Sequence, residues 1–170
     1  LLAFNGGADD DILLNRSLNV ETLNFTGDDG IDTLFNLGPV TSLTFNGGAD
    51  DDVLQNTASV GALTFVGGAD DDTLVNDGPA ATLTFDGGAD DDMLQNNATV
   101  FSLSFSGGAD NDVLVNNGIG VTSLNFIGDD GADTLISNGS GISTIVFSGG
   151  ADADSLRIEG RDIGNVAFYG

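Results

Sequence analysis

The chain has 170 residues and a formal charge of −24, from 27 acidic residues against three arginines, with no histidine or cysteine. That balance excludes nucleic-acid binding, which needs cationic side chains to neutralise phosphates, and the missing cysteines exclude disulfides and thiolate metal sites. An apolar content of 40% is too high for a disordered acidic tail, and no run of about 18 apolar residues marks a transmembrane helix.

Taken in order, the chain repeats one acidic stretch. GGADDD occupies residues 6–11, 47–52, 67–72 and 87–92, with GGADND at 107–112 and GGADAD at 149–154. Two related windows read GDDGID at 27–32 and GDDGAD at 128–133. Within these eight windows lie 22 of the 27 acidic residues, so the charge is confined to one recurrent place. A Phe stands two residues before each window, and Phe4, Phe25, Phe45 and their successors to Phe168 follow at intervals of 20 or 21 residues. A fixed period in the twenties is the mark of a solenoid.

Each period predicts two strands. The first carries Leu-x-Phe, as in Leu43-Thr44-Phe45 and Leu83-Thr84-Phe85, the period-2 alternation of a strand with one inward face. Five residues before each Phe stands Val40, Val60, Val100 or an equivalent, a further inward column. After the acidic window a second strand alternates Asp, Leu and Asn, as in Asp52, Leu54 and Asn56. Extra residues fall elsewhere in the period, while the window never changes length, so this corner is held to one geometry. The expected fold is all-β: a parallel β-solenoid of about eight coils of 20–21 residues. It forms one array over residues 1–170, a rod about 40 Å long at the usual strand spacing. Both ends fall inside the pattern, at Leu2-Ala3-Phe4 and Phe168-Tyr169-Gly170. The expectation is an excerpt of a longer solenoid, with further coils or a cap beyond it, or with copies stacked end to end.

The windows with their following residues, GGADDDVLQ at 47–55 and GDDGIDTLF at 27–35, resemble the Ca²⁺-binding nonapeptide G-G-x-G-x-D-x-U-x of RTX proteins. The resemblance implies Ca²⁺ held between successive turns by backbone carbonyls and by the sixth-position Asp. Those residues are Asp11, Asp32, Asp52, Asp72, Asp92, Asp112, Asp133 and Asp154. Two departures from the family pattern stand out. The fourth-position Gly survives only as Gly30 and Gly131, and is replaced by Asp9, Asp50, Asp70, Asp90, Asp110 and Asp152. These six Asp enter the left-handed region tolerably and join the candidate ligand set. The opposite corner is neutral, as in Asn56-Thr57-Ala58-Ser59, so cations would line one edge of the rod only.

Elementary electrostatics also asks for a cation. Carboxylates stacked one per coil repel their neighbours by about 1 kcal/mol per pair in water and about 4 kcal/mol at an effective dielectric of 20. Summed along the column, this rivals a net folding stability of roughly 5–15 kcal/mol. Oxygen-only ligands with several carboxylates suit Ca²⁺ better than Mg²⁺.

The column Asn15, Asn36, Asn56, Asn76, Asn96 and Asn116 reads as a ladder of amides bonded along the rod. Outward Thr and Ser, such as Thr44, Thr64 and Thr84, resemble the flat arrays of ice-binding solenoids, but Asn24, Ala62, Asn125 and Val146 interrupt them, which favours an ordinary β-sheet surface. A polysaccharide-active enzyme is a third class. It would need long loops to build a cleft, and the chain lacks the usual nucleophiles and bases; equivalent turns also describe a lattice, not one tuned site. The expectation is a non-enzymatic, calcium-stabilised structural or adhesive segment of a secreted or cell-surface protein, bacterial in origin, or of an extracellular fibre.

Overall fold

The computed structural model describes residues 1–170 as seventeen β-strands without a helix. The long strands are β1 (Leu2–Ala8), β3 (Thr22–Asp29), β5 (Val40–Ala49), β7 (Val60–Gly68), β9 (Ala80–Gly88), β11 (Val100–Ala109), β13 (Ser123–Asp130), β15 (Thr144–Ala151) and β17 (Asn165–Tyr169). Between them run the four-residue strands β2 (Ile12–Asn15), β4 (Thr33–Asn36), β6 (Val53–Asn56), β8 (Thr73–Asn76), β10 (Met93–Asn96), β12 (Val113–Asn116), β14 (Thr134–Ser137) and β16 (Ser155–Ile158). The long strands make one parallel sheet of nine and the short strands a second of eight, each in sequence order along the rod. This is the predicted β-solenoid.

Register follows the repeat. Leu43, Leu63 and Leu83 pair in a row, as do Phe45, Phe65 and Phe85, and Leu54, Leu74 and Leu94 do the same on the short sheet. A slip of one residue would turn every Phe and Leu to solvent, so burial fixes the pairing. Between the sheets, Phe45, Phe65, Leu54 and Leu74 are fully buried. From Phe25 to Phe147 the rings stack with centroids 4.7–4.9 Å apart and planes 2–5° from parallel. That spacing is the strand spacing itself, so identical side chains stack without strain and each ring covers both its neighbours.

The corner after the short strands is closed by amides. Asn36 Nδ2 donates to Asn56 Oδ1 at 2.7 Å, and Asn56 to Asn76, Asn76 to Asn96 and Asn96 to Asn116 at 2.8 Å. Asn15 begins the ladder with a bond to Asn36. Ser137 takes the next position, where its buried hydroxyl has no partner.

Candidate functional site: an internal carboxylate column

The acidic window forms the other corner. Its second and fourth positions have positive φ in every window but the first, where only Gly7 does. In the GGADDD-type windows these are a Gly, such as Gly48 (φ 130) and Gly68 (φ 131), and an Asp, namely Asp50, Asp70, Asp90, Asp110 and Asp152 (φ 70–73). In the GDDGxD windows the two exchange: Asp28 (φ 83) and Asp129 (φ 77) stand second, Gly30 (φ 105) and Gly131 (φ 128) fourth. Asp replaces Gly here because its short polar side chain is among the few that tolerate this region. The expected tolerance of the fourth-position Asp is therefore seen in the backbone of five coils.

The double reversal aims the sixth-position carboxylates inward. Asp32, Asp52, Asp72, Asp92, Asp112 and Asp133 are at most 1% exposed, while Asp11 and Asp154 are half-buried. Their Oδ1 atoms accept the main-chain N–H of the sixth residue one coil earlier: Asp52 N–H donates to Asp72, Asp72 to Asp92, and so on, at 2.7–3.1 Å from Asp11 through Asp154. The Oδ2 atoms of Asp32, Asp52, Asp72, Asp92, Asp112, Asp133 and Asp154 are buried and have no hydrogen-bond partner. They lie against the first Gly of their own window. A methyl group on Gly47, Gly67 or Gly87 would stand 2.0 Å from that oxygen.

Burial pushes the carboxyls of Asp52, Asp72 and Asp92 up to about 7 and that of Asp112 to about 8. The donated amide pulls the other way, and the neighbouring carboxylates add to the rise. Asp32 and Asp133 are raised by the same causes. A buried carboxylate oxygen without a donor is costly as a bare anion; it is eased by a proton or by a cation.

The fourth-position residues Asp9, Asp50, Asp70, Asp90, Asp110 and Asp152 are exposed, and the structure does not gather them with the sixth. Asp50 accepts Gly30 N–H at 3.2 Å and Asp70 accepts Asp50 N–H at 3.3 Å. The fifth-position carboxylates, absent from the expected ligand set, also serve the backbone. Asp51 accepts Asp71 N–H, Asp71 accepts Asp91 N–H, and Asp91 accepts Asn111 N–H, at 2.7–3.1 Å. Consecutive turn amides thus find carboxylate acceptors in adjacent coils, with the fourth and sixth positions bonding in one direction along the rod and the fifth in the other. Each bond satisfies a donor that the reversing backbone cannot pair by itself.

No three carboxylates converge as a ready-made ion cage. An ion at this edge would draw on sixth-position Oδ2 atoms, backbone carbonyls and water. That donor set is oxygen-only and partly carboxylate, and it fits a hard divalent cation. Sequence reasoning missed the first-position glycines (Gly6, Gly27, Gly47, Gly67, Gly87, Gly107, Gly128 and Gly149) as the cradle for the column. Their presence in all eight windows was the available signal.

Comparison with protein-family models, curated proteins and solved structures returns no match for this chain.

Proposed function

We propose that the chain is a calcium-stabilised structural β-solenoid, a wall or spacer of a secreted or cell-surface assembly, in which divalent cations neutralise the internal carboxylate column. The observation that carries this reading is the row of buried, unpartnered Oδ2 atoms from Asp32 to Asp154. A side chain placed that way in coil after coil has to be compensated in coil after coil. The exposed carboxylates on the same turns, such as Asp50 and Asp51, raise the local cation concentration at that edge. Ca²⁺ is favoured over Mg²⁺ because flexible coordination tolerates ligands fixed by a strand lattice, whereas Mg²⁺ demands near-octahedral geometry. Extracellular modules bind Ca²⁺ with Kd of roughly 0.1–1 mM, so weak repeated sites would fill after export and stay empty in the cytosol. Equivalent sites in every coil support a structural role over a catalytic one, since no turn is singled out by its environment.

The test is calorimetric titration of the metal-free protein with Ca²⁺ and with Mg²⁺ at about pH 8, followed by circular dichroism. Several equivalents of Ca²⁺ per chain, with a gain in strand signal or melting temperature that Mg²⁺ does not reproduce, is the expected result. No heat and no structural response to Ca²⁺ would overturn the proposal.

A further inference from the structure

The short-strand sheet turns its first and third residues outward, and these positions carry no Asp or Glu in any of the eight strands. Across β4, β6, β8, β10 and β12 one outward row runs Thr33, Val53, Thr73, Met93 and Val113 and the other Phe35, Gln55, Val75, Gln95 and Val115, so apolar side chains alternate with Thr and Gln in register. The one charged residue among these outward positions is Arg157, paired with its own neighbour Glu159. In a chain of net charge −24 this is a flat wall free of acidic side chains, its apolar residues interleaved with Thr, Gln and Ser. Its outer side chains are half-buried to exposed, with Ile12 at 69% and Leu14 at 45%.

We propose that two copies of this chain pair through this wall, sheet face to sheet face, with their rod axes parallel. Size is the first argument. Eight strands at about 4.8 Å and four residues at about 3.3 Å give a wall of about 38 by 13 Å. That amounts to roughly 500 Å² per copy and about 1,000 Å² for the pair, the lower limit for a specific interface. The pairing is accordingly weak and concentration-dependent. Charge sets the orientation. The acidic turns precede the short strands and the neutral Asn corner follows them, so the wall has one acidic side and one neutral side. A two-fold axis parallel to the rods lays the acidic side of each copy over the neutral corner of the other. In coils two to seven that corner holds a single carboxylate, Asp77, in the turns following the short strands. A two-fold axis across the rods would instead align all the acidic turns on one side. Packed sheets lie about 10 Å apart, close to the screening length of about 8 Å at physiological salt, so that alternative is repelled. The same repulsion between whole rods predicts pairing that strengthens with added salt.

Sedimentation of the chain in calcium-containing buffer tests this. The expected result is an apparent mass that doubles with rising protein concentration, at lower concentration when salt is added. Val75→Asp returns it to the monomer value over the same range, while Val75→Thr, which keeps the β-branch, retains a weaker doubling. With no native cysteine present, a short bismaleimide should join Phe35→Cys copies to each other. An antiparallel pair would hold those thiols about 24 Å apart, five coils at the strand spacing. A strict monomer at high concentration and salt overturns the proposal. So does doubling that survives Val75→Asp, which would place association at the rod ends, and so does a pair that the Phe35→Cys reagent leaves unjoined.

Discussion

Gly67 and Asp72 face each other across the inside of the acidic corner, and a methyl group on Gly67 would stand 2.0 Å from the carboxylate Oδ2 of Asp72. One residue is small because the other is buried. Gly67→Ala should destabilise the rod by about 3 kcal/mol or more, an overpacking cost at the upper end of the usual range. Asp72→Ala in the same chain should recover part of that loss, because the two residues share one space and their effects are not additive. A double-mutant cycle by chemical denaturation reads the coupling. Additive effects would contradict the packing described here.

The three acidic positions of one turn should behave differently. Asp72→Ala removes the acceptor of the Asp52 amide and leaves a buried donor, a cost of about 1–3 kcal/mol. It should also weaken Ca²⁺ binding. Asp71→Ala removes only an exposed acceptor and should cost less than about 1 kcal/mol, with little effect on Ca²⁺. Asp72→Asn keeps an oxygen for the Asp52 amide but discards the buried charge. It should raise stability in chelator at about pH 8 while lowering the Ca²⁺ response. Denaturation and calcium titration of the three variants give the ranking.

Without metal, stability should fall as pH rises. Burial raises the column carboxyls to about 7 or 8, against an ordinary value of 3.8, so the folded rod keeps protons that the unfolded chain has released. This contribution is complete below about pH 4 and is lost as pH climbs through 7 to 8. The melting temperature in chelator should therefore be higher at pH 5 than at pH 8. With Ca²⁺ the trend should reverse, because ion and proton compete for the same oxygens. Thermal melts at the two pH values, with and without Ca²⁺, check both signs.

The amide ladder makes a separate demand. Asn76 accepts from Asn56 and donates to Asn96, both at 2.8 Å in a fully buried column. Asn76→Ala takes one bond from Asn56 Nδ2, which keeps its bond to Ala58 O, and leaves Asn96 Oδ1 with only the Ala98 N–H at 3.4 Å, so the cost should be about 1–3 kcal/mol. Asn97→Ala, at the exposed position of the same corner one coil further on, should stay within about 1 kcal/mol. Denaturation midpoints of the two variants give the comparison.

Much of this architecture was legible in the sequence because burial repeats with it. Leu-x-Phe before the first seven windows and Asp-x-Leu-x-Asn from the last residue of the first six fixed both inward faces, and the structure places Phe45, Leu54 and Asn56 in the core accordingly. The role of the acidic triple was only partly legible. Charge counting treats Asp50, Asp51 and Asp52 alike, whereas the turn sends the sixth position inside and leaves the fourth and fifth outside to accept amides from adjacent coils. That sorting depends on the paired positive-φ residues, Gly48 and Asp50 in this coil, and no periodicity of hydrophobic residues encodes it. The alternation of Asp52 with Leu54 and the facing Gly47 was the trace it left. The uncharged outer wall went unnoticed for another reason: Phe35, Val53 and Val75 carry no motif, and they form a surface only once the coils are stacked in register.

The central claim is that a cation compensates the buried column, and the most direct measurement is the strand signal and melting temperature at low salt and about pH 9, above the values of about 7 to 8 to which burial raises Asp52, Asp72, Asp92 and Asp112. In chelator the rod should lose its strand signal or melt at a much lower temperature, and Ca²⁺ but not Mg²⁺ should restore it, with metal analysis finding several calcium ions per chain. An unchanged signal and melting temperature in chelator under those conditions would contradict the account.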